Sequence, residues 1–308
     1  MSISNAHGLY GVVIDSTVIG GIGRLFINTG TEVRGEPSSG EVWARFQSLV
    51  AQKPRAQFNT MALAAALAKS ALTGASIAGM TAGLNLYAQQ HAAGGTRTSG
   101  SAHRKHTIKH GLLVPRRLTC EHQGDAVLEY EAIITYDGSN QPVVLTESQA
   151  LPAGLTDAER FTLGPVTIES ILLAQVRRFE LDFGIEVKTE GSDSDIWDTY
   201  CSIESIQPTL TLRGIDLNWW KDSGGVPLTG KAATHANTKI YLRKRAAGAT
   251  FVADETAQHI KFTADGLAHI ADGFSADANN KAEVSLVLPM YYDGTNNPLV
   301  VNTASAIT

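Results

Sequence analysis

Two cysteines, Cys120 and Cys201, in a chain of 308 residues do not make a disulfide framework. Charge is sparse as well: 25 Lys and Arg against 30 Asp and Glu leave a formal net charge of −5. A dedicated nucleic-acid binder would carry a basic excess instead. A membrane-spanning helix needs about 20 predominantly apolar residues. The longest candidate, Met61 to Ala88, is broken by Lys69 and by several Gly, Ser and Thr residues, so no membrane span is expected. The opening residues MSISNAHGLYGVV have no basic stretch followed by an apolar one, which argues against a cleaved secretory signal. The expectation is a soluble chain made in a reducing cytoplasm. Apolar residues are not lacking: 43% of the chain is enough to build a core and excludes a disordered polymer. The length sits where single cores give way to two domains.

The chain repeats itself. Gly30 to Leu63 lies over Gly184 to Leu217 without a gap, at a constant offset of 154. Nine of these 34 positions are identical, namely Gly30, Glu32, Val33, Glu36, Ser38, Trp43, Ser48, Pro54 and Leu63 with their partners 154 residues on; chance composition gives roughly two. A second block, YDGSNQPVVL from Tyr136, recurs as YDGTNNPLVV from Tyr292 at an offset of 156. Both blocks therefore belong to one duplicated unit. The expected division is 1–150 and 151–308, with the boundary in the polar stretch Thr146 to Gly164. Thr156 and Glu159 there have capping-box spacing.

Each unit reads as mainly β. GLYGVVID, RLFINTG, RAQFNT, TIKHGLLV and AVLEYEAIITYDG in the first, and VRRFELDFGIEV, SIQPTLTLRGIDL, TKIYLRKR and EVSLVLPMYYDG in the second, combine β-branched and aromatic residues with period-2 stretches. Each YDG is expected to turn a hairpin, with the following Pro142 or Pro298 limiting the next strand to an edge or a strand start. One helix per unit is expected: Met61 to Leu72 after a Thr60 N-cap, and a shorter one at Ile215 to Lys221. The fold class is two tandem copies of a small antiparallel β-barrel or sandwich, each with one α-helix.

Catalytic constellations are not evident. GGIG at Gly20 to Gly23 lacks the spacing and strand-to-helix setting of a phosphate cradle and reads as a strand bend. Gly230-Lys231 is followed by Ala232, where a P-loop needs Ser or Thr. His103, His106, His110 and His122 with Cys120 have no zinc-ligand spacing and read as a basic solvated loop. No metal, cofactor or catalytic residue is expected. Arg97, Arg104, Lys105, Lys109, Arg116 and Arg117 form the only basic run; without interleaved aromatics it fits a contact with an acidic neighbouring subunit better than DNA. Trp43 and Trp197, with Phe46 and Tyr200, recur between the copies and read either as core or as interface.

A duplicated, mostly β unit of about 154 residues, with a long loop after an early strand (Gly30 to Phe46; Gly184 to Tyr200) and a closing YDG hairpin, resembles phage tail tube proteins. The resemblance implies a small β-barrel that closes six-fold rings, which stack into the conduit for DNA in a virion tail assembled in the host cytoplasm. A tandem pair would build the same ring from three chains. It further implies self-association, contacts with tip, terminator and sheath proteins, and double-stranded DNA passing without specific binding. By the family's pattern the long loops make the assembly contacts, here Glu32, Arg34, Glu36 and Trp43 with their repeats Glu186, Lys188, Glu190 and Trp197. Competing readings are a baseplate hub or distal tail ring, a sliding-clamp-like ring, and a β-barrel enzyme or carbohydrate-binding module. A clamp needs basic helices around its hole, and an enzyme needs a polar constellation.

Overall fold

The computed structural model describes residues 6–37, 39–40, 42–91, 98, 100–155, 159–168, 171–192, 195–215, 233–248, 250–277 and 280–308. The first half runs β1 (Ala6–Ile14), β2 (Thr17–Ile19), β3 (Ile22–Asn28), β4 (Thr31–Pro37), β5 (Ala44–Gln52), β6 (Arg55–Thr60), α1 (Leu63–Ser70), β7 (Ala75–Ser76), a 3-10 turn (Ile77–Gly79), β8 (Leu84–His91), β9 (His103–Ile108), β10 (Gly111–Glu121), β11 (Val127–Ile134) and β12 (Val144–Gln149). The second runs β13 (Phe161–Ile168), β14 (Ile171–Leu172), β15 (Val176–Asp182), β16 (Ile185–Gly191), β17 (Asp198–Ile206), β18 (Thr209–Gly214), β19 (Ala233–Lys244), β20 (His259–Asp277), β21 (Asn280–Pro289) and β22 (Leu299–Ser305). The expected second helix, beyond Ile215, and Trp219, Trp220, Arg97 and Thr156 lie outside the described residues.

Among the described residues all paired strands are antiparallel and fall into four sheets. Five strands follow the order β12-β9-β8-β1-β2, and thirteen form one sheet along β14-β13-β19-β20-β21-β18-β15-β10-β11-β6-β3, with β22 on β20 and β7 on β10. Strands β4–β5 and β16–β17 are separate two-stranded ribbons. Period-2 patterning explains the central strands: β6 buries Ala56, Phe58 and Thr60 and exposes or half-exposes the residues between, and β18 buries Leu210, Leu212 and Gly214 in the same way. One hydrophobic core, including Leu86, Phe58, Leu128, Phe179, Leu212 and Phe262, runs through both halves.

Three expectations need correction. No sheet among the described residues closes into a barrel: instead of returning to its own half, the outer edge of β10 pairs with β15, from Arg117↔Asp182 to Glu121↔Arg178. The two halves thereby share a sheet. The YDG segments do not turn hairpins, because β11 pairs with β10 and β6 while β12 crosses to β9. Asp137 instead stabilises a crossover bend by accepting the Ser139 and Asn140 N–H groups at 2.8 and 2.6 Å, and Asp293 does the same for Thr295 and Asn296 at 2.7 and 2.6 Å. The long loops, finally, are the two ribbons. GGIG does form a bend, with Gly20 and Gly21 linking β2 to β3 and Gly21 at φ +61°. Helix α1 begins at Leu63, and Thr60 holds its entry by accepting the Ala62 N–H at 3.0 Å and donating to the Gly20 carbonyl at 2.8 Å.

Pairing registers recur along the chain. Strands β3 to β6 begin and end 154 residues before β15 to β18. Leu25↔Phe58 answers Phe179↔Leu212, and Val12↔Leu86 answers Val166↔Ile240. Both ribbons carry bulges at the same two places, after Glu32 and Glu36 and after Glu186 and Glu190. Ahead of each ribbon a glycine is required: Gly30 at φ +57° and Gly184 at φ +55° each donate to the side chain two residues back, Asn28 or Asp182, at 3.0 and 2.9 Å. A β-carbon at either would stand 2.0 Å from the carbonyl oxygen of Lys53 or Gln207.

Candidate assembly surface

The two ribbons carry the site residues expected from the repeat, and they differ in surroundings. On β4–β5, Glu32, Arg34 and Glu36 are exposed, Arg34 pairs with Glu36 at 2.6 Å, and Trp43 is 83% exposed. On β16–β17, Lys188 pairs with Glu190 at 3.0 Å, which raises the Lys188 pKa, and Glu186 accepts the Ser205 hydroxyl at 3.0 Å. Among the described residues, these contacts stay within the ribbons.

Trp197 is different. Its ring packs on Tyr136 with centroids 4.9 Å apart, its Nε1–H donates to Gln52 Oε1 at 2.9 Å, and the Gln52 N–H donates to the Ile196 carbonyl at 2.7 Å. The Tyr136 N–H donates to the Asp198 carbonyl at 2.8 Å. The second ribbon is thus seated on the first half of the molecule, and Val187, Cys201 and Ile203 are partly buried against the core. Neither tryptophan is core: Trp197 is an interface residue between the halves, while Trp43 has no such cover.

The basic run is not a loop. Arg104 and Lys105 lie on β9, Arg116 and Arg117 on β10, with Lys109 in the short link between. Three of them meet acids. Arg104 pairs with Glu147 at 3.0 Å, Arg117 with Glu180 across the β10–β15 junction at 3.6 Å, and Arg116 Nε donates to Glu131 at 2.7 Å. Arg55 also donates to Glu131 at 3.0 Å. Burial pushes the Glu131 carboxyl up, but the two guanidiniums outweigh it and hold the pKa below its ordinary value. Lys105 and Lys109 line a surface pocket with His110 and Asp137; the Asn140 and Ser139 donors hold Asp137 down to about 2.

The histidine stretch is corrected with it. His103 is buried, and its Nδ1 accepts the Gln90 N–H at 3.0 Å. His259, fully buried, accepts the Lys244 N–H at 3.0 Å in the same way, and its Nε2 lies 3.0 Å from the Ala253 carbonyl. His103 and His259 stand 156 residues apart and their donors Gln90 and Lys244 154 apart, an equivalence that single histidines in unlike local sequence do not announce. Cys120 is buried and free, and burial pushes its thiol up to about 12; Cys201 is also free. Among the described residues no helix is long and apolar enough to cross a membrane.

Apolar exposure concentrates in two places. The β4–β5 ribbon bares Val33, Val42, Trp43, Phe46, Leu49 and Val50. Elsewhere an open groove of about 850 Å³ is lined by Ile206, Pro208, Met290, Tyr292, Pro298 and Val300, among others, with Tyr292 61% exposed. Contiguous apolar surface of this kind marks interaction sites. No family model and no curated protein sequence matches the chain.

Proposed function

We propose that the chain is a structural virion protein, a phage tail tube subunit built as a tandem duplication of one ring-forming β unit, with three chains closing a pseudo-six-fold ring and rings stacking into a conduit for DNA. The observation that carries this reading is the edge-to-edge joining of two halves with matching pairing registers, β10 of the first on β15 of the second. A wall made of such units grows by the same edge contact from one unit to the next, and the ring closes when the rotation per unit divides a full turn. The net charge of −5 suits a wall along which phosphates slide without adhering. In this role the chain has no catalysis and no cofactor; its partners are itself and the other tail proteins, at the tip, the terminator and a sheath.

Negative-stain electron microscopy of the full-length protein tests the reading. Tubes with a three-fold or pseudo-six-fold cross-section are the expected result, and isolated rings would move the chain to a baseplate hub or distal tail position. A monomer that persists at high concentration would overturn both.

A further inference from the structure

The geometry points to a specific head-to-tail contact between copies of this chain, in which the β4–β5 ribbon and β3 edge of one copy dock on the Tyr292 groove and the 271–277 edge of β20 in the next. The inference deepens the ring reading above and rests on it for the presence of a second copy; the surfaces are read from the junction already inside the chain.

That junction has two parts. An edge strand of the first half, β10, pairs with β15, and the ribbon that follows β15 covers the neighbouring bend through Trp197 on Tyr136. Each part has an equivalent with an empty side. Counting back 154 residues, β15 becomes β3, which among the described residues pairs only with β6. Counting forward, β10 becomes the latter part of β20, which over 271–277 pairs, among the described residues, only with β21. The equivalents of the two sides of the junction are therefore β3, which ends the path of the thirteen-stranded sheet, and the 271–277 stretch of β20, one side of which has no partner strand among the described residues. Exposed edges are templates for strand addition.

Burial agrees residue by residue. On the ribbon, Val187, Trp197 and Ile203 are partly buried by the first half, whereas their equivalents Val33, Trp43 and Leu49 are 65%, 83% and 41% exposed. On the receiving side, Gln52 and Tyr136 are partly covered, whereas Ile206 and Tyr292 are exposed and line the apolar groove. The same residue types are covered where a neighbouring half packs on them and bare where none does. A two-stranded ribbon is only marginally stable by itself in water, which gives the exposed one a physical need for a seat. One detail changes: with Ile206 in place of Gln52, the Trp43 indole has no side-chain acceptor there, so this contact is more apolar than its internal counterpart. Because the contact joins unlike surfaces, it propagates from copy to copy, and it closes a ring when the rotation per copy divides a full turn.

Trp43→Ala and Tyr292→Ala variants of the full chain test this, since both side chains are exposed and their removal leaves the folded protomer intact, as an unchanged Tm would verify. By analytical ultracentrifugation each variant alone is expected to self-associate at least tenfold more weakly than the unaltered chain. Mixed in equal amounts they are expected to form one-to-one heterodimers and nothing larger, because only the Trp43 of one variant and the Tyr292 of the other can still meet. Assembly of both single variants like the unaltered chain would overturn this contact while leaving the ring reading in place. Failure of the mixture to associate would do the same. A wholly monomeric unaltered chain would overturn both.

Discussion

At the scale of single residues, the best-secured charge in the molecule is Glu131, a buried carboxylate held between Arg116 and Arg55. Its lowered pKa fixes the sign of a pH effect. The folded state prefers the ionised form, so the contribution to stability is complete above the ordinary carboxylate range and is lost as pH falls through the lowered folded value. Glu131→Gln is expected to cost about 2 kcal/mol at neutral pH, and urea denaturation from pH 7 to pH 3 should show the gap to the unaltered protein closing at the acid end. A gap constant with pH would deny the carboxylate this role. Gly30 and Gly184 give a second residue-scale prediction. Replacement by Ala forces a left-handed conformation, by itself worth roughly 1 to 3 kcal/mol, and drives a β-carbon into a carbonyl oxygen. Thermal denaturation followed by circular dichroism should register similar losses at both sites. That both are glycines is readable from the repeat; that a glycine is obligatory there depends on the close approach of Lys53 and Gln207, residues 23 positions away in each copy.

At the scale of elements, local pattern succeeds where a strand has one buried and one wet face and fails where it has neither. RAQFNT alternates strictly and is β6 from end to end. TEVRGEP is exposed at every position, so the ribbon strand β4 carries no hydrophobic period to announce it; the charges and Gly-Pro punctuation read as loop, although backbone pairing with β5 makes it a strand. The YDG bends show the opposite failure. Turn chemistry was legible, and Asp137 and Asp293 do bind the following N–H groups, but whether a turn joins adjacent strands or crosses between sheets is decided by which strands lie beside it. The two ribbons yield a contrasting prediction. Trp197→Ala removes a stacked ring and an indole hydrogen bond from within the protomer and should lower its stability by about 2 kcal/mol. Trp43→Ala, bare in the protomer, should change it by less than about 0.5 kcal/mol. Equal losses in a urea titration would mean that the ribbons are alike in their surroundings.

At the scale of the whole molecule, the pairing of β10 with β15 matters most, because it makes strands from both halves parts of one sheet. Sheet and core both run across the expected boundary near residue 150. The core passes from half to half, and α1 of the first touches β22 of the second. Differential scanning calorimetry of the full chain is therefore expected to show one cooperative transition; two resolved transitions would mean that the halves unfold independently.

Local composition, period and identity suffice for the offset self-similarity, the mainly β character, the first helix and the positions of the paired tryptophans. Long-range pairing settles the rest: that no sheet among the described residues closes, that the basic run is strand and largely matched by acids, that His103 and His259 are buried equivalents, and that one tryptophan is covered while its twin is bare. Those are facts about which edges and surfaces meet across more than a hundred residues. Local spacing holds no record of them, since hydrogen bonding between strands depends on the neighbour that arrives in space and not on the one that follows in the chain.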